Sequence, residues 1–131
     1  MKRKTVFIIS MLIIVIGAFT YNYIYKEHRN IGNEKAVLFG TALKVYSDFN
    51  QNSIEFNENY LDKTVEIEGE ITETEAASVV LNHKVYVLFT DSLNHQISTN
   101  KKIIIKGRYV GFDDLLEVLK IDQATVVDNR N

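Results

Sequence analysis

Lys102, Lys106 and Arg108 fall on one side of the segment Lys102–Val110 if that segment is extended, because alternate residues of a strand face the same way. A row of cations is the chemistry of phosphate recognition, since Lys and Arg neutralising phosphates supply most sequence-independent affinity for nucleic acid. Tyr86 and Phe112 add ring faces on which a base or a sugar can stack, and Leu88 shares the side of Tyr86. Asp113 and Asp114, with Glu117 close by, raise calcium binding or acid–base work, but their spacing is not that of a calcium loop, and adjacent acids at a turn are ordinarily solvated. His28, His83 and His95 are scattered and have no partner at metal-ligand spacing. The chain has no cysteine, which excludes disulfides, thiol nucleophiles, Cys-ligated zinc and a lipid-bearing cysteine. Gly-rich phosphate loops, a Gly-x-Ser-x-Gly elbow and His-Glu-x-x-His are also missing. The expectation is a non-catalytic chain without metal or cofactor.

The N-terminus reads as an address. Behind Lys2, Arg3 and Lys4 runs an uncharged apolar stretch from Val6 to Phe19, followed by Tyr21, Tyr23 and Tyr25. As a helix, residues 5–25 would be about 31 Å long, enough to cross a hydrocarbon core of about 30 Å, with the tyrosines at one interface. The basic cluster holds the N-terminus in the cytoplasm and sends the remainder across the inner membrane, to the periplasmic or extracytoplasmic side. A cleaved signal peptide is the alternative, but a small-x-small cleavage site is lacking: Ile16 occupies the small position before Ala18, and Thr20 ends the other candidate poorly. Both readings give one compartment. The division expected is a signal anchor over residues 1–25, a polar tether over 26–32, and one folded unit over 33–128.

That unit has roughly 100 residues, which is one domain. Hydrophobic residues at 46% against 24% charged provide enough apolar surface to offset chain entropy, so the domain is ordered. The formal net charge of −2 includes the three cations at the start, so everything after them carries −5. From Asn33, taken as N-cap, Leu38, Ala42, Val45 and Phe49 recur at helical spacing, flanked by Phe39 and Tyr46, which predicts an amphipathic helix to Phe49. Asn50-Gln51-Asn52 breaks it. Ser53 then caps a short helix in which Phe56 and Tyr60 stack one turn apart. Five strands follow: residues 64–71, with Val65, Ile67, Gly69 and Ile71 opposite Glu66, Glu68 and Glu70; 78–81 and 85–89 around the turn Asn82-His83-Lys84; and 102–110 and 117–127 joined through 111–114. Gly107 marks strong curvature in the fourth.

The order of motifs, a helix with Ala42-Leu43-x-x-Tyr46, a short helix ending at Tyr60, then Asp62-Lys63-x-Val65-x-Ile67-x-Gly69-x-Ile71, resembles the bacterial tRNA-anticodon-like OB-fold proteins. The likeness continues through Val85–Phe89, Lys106-Gly107 and the last strand, covering about residues 36–127. Phe56 departs from the pattern, which implies a small residue there. The resemblance implies a five-stranded OB barrel, often on secreted or anchored proteins, without a general activity, and the five strands read from periodicity agree with it.

Such barrels bind ligands on the outer face of their second and third strands, between loops that here fall at 72–77 and 111–114. Tyr86, Leu88 and Phe112 then become candidate ligand contacts, although Tyr86 is expected to lie beneath the amphipathic helix. The fourth strand pairs with the first, which sets Lys102, Lys106 and Arg108 against Glu66, Glu68 and Glu70. Each opposed pair contributes about 0.2–1 kcal/mol and cancels the positive field a phosphate track needs. The functional expectation is an anchored interaction module for a protein or envelope component, with single-stranded nucleic-acid binding as the alternative.

Overall fold

The computed structural model describes residues 2–24, 30–91 and 97–127. Helix α1, Lys2–Ile24, is apolar on every side and buries none of its residues. Within it Thr20 Oγ1 donates to Ile16 O at 2.8 Å, the kind of internal bond a polar side chain needs where no water reaches it.

Packing of the domain starts at Ile31, only 2% exposed, in a single 3-10 turn, Ile31–Asn33, inside the segment whose polarity reads as tether. The helix expected from Asn33 is not there. Residues Leu38–Thr41 form a strand, β1, and α2 runs from Ala42 to Gln51. Thr41 is the cap, its Oγ1 accepting from Lys44 N at 3.2 Å. Leu38 happens to continue the four–three spacing of Ala42, Val45 and Phe49, but Val37-Leu38-Phe39 is a β-forming run that finds an open edge. Val37 N donates to Thr64 O at 2.9 Å, and β1 pairs in parallel with β2. Tertiary hydrogen bonds override the periodicity. Helix α3, Ser53–Tyr60, is capped by Asn52 instead of Ser53: its Oδ1 accepts from Glu55 N at 3.2 Å, while its amide reaches Glu55 Oε2 at 3.0 Å.

Strands β2 (Thr64–Thr74), β3 (Ser78–Leu81), β4 (Val85–Phe89), β5 (Lys102–Asp113) and β6 (Val118–Val126) close a barrel in the order β2-β3-β4-β6-β5-β2, with β4 and β6 parallel and the other pairs antiparallel. This is the five-stranded OB topology, and β1 is a sixth strand laid against the first half of β2. Val65, Ile67 and Ile71 face the core with Val85, Val87, Ile105, Leu119 and Ile121. Two positions require glycine. A Cβ on Gly107 would run into Ile121 Cγ2 and lie 2.9 Å from Asp122 O, where β5 bulges against β6; one on Gly69 would lie 2.9 Å from Leu81 Cβ and 3.2 Å from Ala42 Cβ. The β3–β4 turn takes positive φ at both Asn82 (51°) and His83 (57°), the geometry that matches strand twist in two-residue hairpins.

One end of the barrel is sealed by rings. Phe49 of α2 stacks on Phe112 at 4.8 Å between centroids and meets Phe56 of α3 edge-on at 5.7 Å, and Phe56 meets Tyr109 edge-on at 5.3 Å. The residue that departs from the family pattern, Phe56, is the centre of this plug, 5% exposed and 4.8 Å from Tyr60.

Candidate functional site

The six candidate residues do not assemble into one site. Phe112, placed in a connecting loop by its sequence neighbours, lies within β5, because that strand continues to Asp113 and the turn occupies residues 114–117. Its ring is committed to Phe49 and to Tyr46, 6.3 Å away. It belongs to the plug, not to a stacking platform with Tyr86.

The cations are opposed by acids, in a register that differs from a simple one-to-one row. Lys106 stands opposite Glu66 and Lys102 opposite Glu70, whereas Glu68 faces Ile104 and Arg108 faces Thr64. Arg108 is occupied elsewhere: its Nε and Nη2 donate to the two carboxylate oxygens of Asp122 at 2.9 and 2.7 Å, and Nη1 reaches Asp62 at 3.2 Å. Asp122 first, then Asp62, hold the guanidinium pKa above its ordinary value, against a smaller opposing effect of burial. The fork fastens the turn after α3 to β6, which makes Arg108 a clamp. Lys106 Nζ donates to Gly32 O at 3.4 Å and ties down the 3-10 turn.

Tyr86 and Leu88 do point outward, opposite to the buried Val85, Val87 and Phe89. Tyr86 is not under α2, whose stripe of Ala42, Val45 and Phe49 turns into the barrel end. Val80, Tyr86 and Lys120 lie side by side in register across β3, β4 and β6, and Lys120 Nζ sits 5.8 Å over the Tyr86 ring, within cation–π range. Leu88, 42% exposed, is two positions along. Lys120 was not among the residues singled out from sequence; only the β4–β6 parallel pairing, a long-range event, brings it to Tyr86.

Of the acids at the β5–β6 turn, Asp113 is structural. Asp113 Oδ1 accepts from Leu115 N at 2.9 Å and Leu116 N at 3.0 Å, and Oδ2 pairs with Lys120 at 3.1 Å. The Leu116 amide, then Lys120, hold its pKa below the usual carboxylate range. Asp114 and Glu117 are exposed. His83, in the β3–β4 turn, lies 4.0 Å from Glu73; His28 and His95 lie outside the described residues. Among the described residues no group of three His, Asp or Glu side chains gathers at metal-holding distance. An open groove of about 250 Å³ between α2 and α3 is lined by Asp48, Glu55, Asn59 and other polar groups, and no histidine or nucleophile–base pair converges there. At Tyr86 one half-buried ring, the half-buried Val80, the exposed Leu88 and the cation of Lys120 share one outer side of the sheet.

A search of curated proteins returns no match. Among solved structures, one from Klebsiella pneumoniae, described as a "putative nucleic acid-binding lipoprotein", superimposes with a TM-score of 0.48 at 14% identity, over 69% of this chain and 91% of that one. The tRNA_anti-like family profile matches residues 1–123, nearly the whole chain, and with the closed OB strand order it identifies the protein as a member of the tRNA_anti-like family.

Proposed function

We propose that the chain is a single-pass protein of the cytoplasmic membrane whose OB barrel is a non-catalytic binding module on the extracytoplasmic side, recognising a protein or envelope component through Val80, Tyr86 and Leu88. Helix α1 is long and apolar enough to cross a membrane, and Lys2, Arg3 and Lys4 favour retention of its N-terminus in the cytoplasm. The observation that carries the reading is the fate of the β5 cations: Lys102 and Lys106 face glutamates and Arg108 is forked onto Asp122, so β5 presents no unopposed row of positive charge. A photo-crosslinking side chain at Leu88, in native membranes, is expected to yield a reproducible adduct that Tyr86→Ser abolishes. Adducts that ignore Tyr86→Ser would overturn the assignment of this face.

A second reading, binding of short single-stranded oligonucleotides, is favoured by one observation: Lys120 lies over Tyr86 on the face where OB barrels stack bases. It requires affinity that falls steeply with salt and is lost in both Tyr86→Ser and Lys120→Gln. With most cations already opposed, the expected salt dependence is shallow. A steep one would replace the first reading by the second.

A further inference from the structure

Where the chain enters the barrel is set by the 3-10 turn. Ile31 is buried, Lys106 Nζ holds Gly32 O, and the Thr125 side chain lies beside Gly32. Only seven Cα steps separate Ile24, the end of α1, from Ile31, and at about 3.5 Å each they span at most about 25 Å. The surface around Gly32 therefore stays within that distance of the end of the apolar helix.

Crossing the sheet in register from this entry point, Thr125 is beside Lys106, Lys106 beside Glu66, and Glu66 beside Phe39 of β1. At about 4.8 Å per strand, Phe39 lies about 14 Å from Thr125. It is 64% exposed; Val37, just before β1, is 54% exposed, and Val126, next to Thr125, is 45% exposed. Together with Gly40, Thr41, Glu66, Glu68 and Ile104, Phe39 lines an open groove of about 200 Å³. Exposed Lys35 precedes this strand, and of the two glutamates lining the groove Lys106 opposes Glu66, whereas exposed Glu68 faces Ile104.

The opposite end of the barrel is chemically different. Leu115 and Leu116 are 95% and 63% exposed at the β5–β6 turn, but Asp114 and Glu117 flank them, which opposes contact with anionic headgroups. The nine residues of β6, about 30 Å of strand, separate this turn from Val126.

We propose that the outward side of β1 at Phe39, together with Val37 just before it, rests on the bilayer spanned by α1, with Phe39 at the headgroup–acyl boundary and Lys35 among the headgroups. This rests on α1 being an uncleaved anchor. The occupant is a lipid surface because the short connection keeps this face beside the membrane, and a side chain such as Phe39 on an edge strand is a liability unless something covers it.

The chain contains no tryptophan, so a single introduced one reports alone. The full-length protein is reconstituted in phosphatidylethanolamine–phosphatidylglycerol vesicles, with and without brominated acyl chains, as Phe19→Trp, Phe39→Trp, Val37→Trp and Leu115→Trp. Bromine is expected to quench Trp at 19, 37 and 39 at least twofold and to leave Trp at 115 unchanged, while iodide in the buffer quenches only position 115. Quenching by bromine at 19 but at neither 37 nor 39 overturns the docking and leaves the anchor intact. Positions 37 and 39 shielded from iodide yet indifferent to bromine also overturn it, and assign the face to a second copy. Absence of quenching at 19 removes the anchor and the docking together. The two reporters at 37 and 39 guard against one variant failing to fold, which a thermal melt of each checks.

Discussion

Tyr109 would lose its one hydrogen-bonding side-chain atom to a single substitution. Its hydroxyl donates to Asn57 Oδ1 at 2.7 Å inside the ring plug, and burial pushes its pKa up to about 12 from 10. Because the folded value is the higher one, the stabilising contribution is complete below pH 10 and is lost as pH climbs from there toward 12. Tyr109→Phe should cost about 1–2 kcal/mol at pH 8, since it leaves the Asn57 acceptor without its donor. The gap in melting temperature between wild type and variant should narrow at pH 11, where the wild-type hydroxyl is penalised and the phenylalanine is indifferent. A constant gap would mean that Tyr109 does not titrate in that window. This role was invisible in the sequence: Tyr109 and Asn57 are 52 positions apart, and Tyr109 stands among strand residues with nothing to distinguish its hydroxyl from a solvated one.

At the scale of elements, local pattern predicted strands and their buried sides but not the register in which they pair. The alternation in residues 64–71 defined which side of β2 is buried, and Glu66, Glu68 and Glu70 do share the other side. Which acid meets which cation depends on where β5 stops against β2, and that is fixed at the start of β2 by the Tyr109–Lys63 and Asp62–Tyr109 backbone hydrogen bonds. A double-mutant cycle on Glu66 and Lys106, each replaced by Gln, should give a coupling of about 0.2–1 kcal/mol, whereas the same cycle on Glu68 and Lys106 should give less. Equal couplings would contradict the observed register. The same limit explains β1: helical spacing through Leu38 was real, but the open edge of β2 was a long-range fact that no local window contains.

For the whole molecule, the question is how far the apolar helix and the barrel depend on each other. Nothing in α1 is buried, and the barrel closes through its own strands and the α2–α3 plug. Removing residues 2–24 should therefore leave the melting temperature of the domain within about 2 °C of the full-length protein in detergent, because no packed surface is lost. A large drop would show that the helix packs on the barrel. The acidic charge of the domain, −5 after the basic cluster, remains with the part exposed to its surroundings and disfavours non-specific polyanion binding.

Alternation and turn residues were enough for the apolar leader and the five strands, because each depends on hydrophobic periodicity and on local backbone preferences that act over a few residues, whereas the OB order was implied by the family resemblance. Tertiary structure alone decided that Phe112 seals the core, that Arg108 is a clamp, that Tyr86 faces outward, half-buried, beside Lys120, and that Phe39 is left bare on an added strand. Those outcomes turn on register and closure between segments up to about 60 residues apart, where one residue of slip exchanges an inward side chain for an outward one.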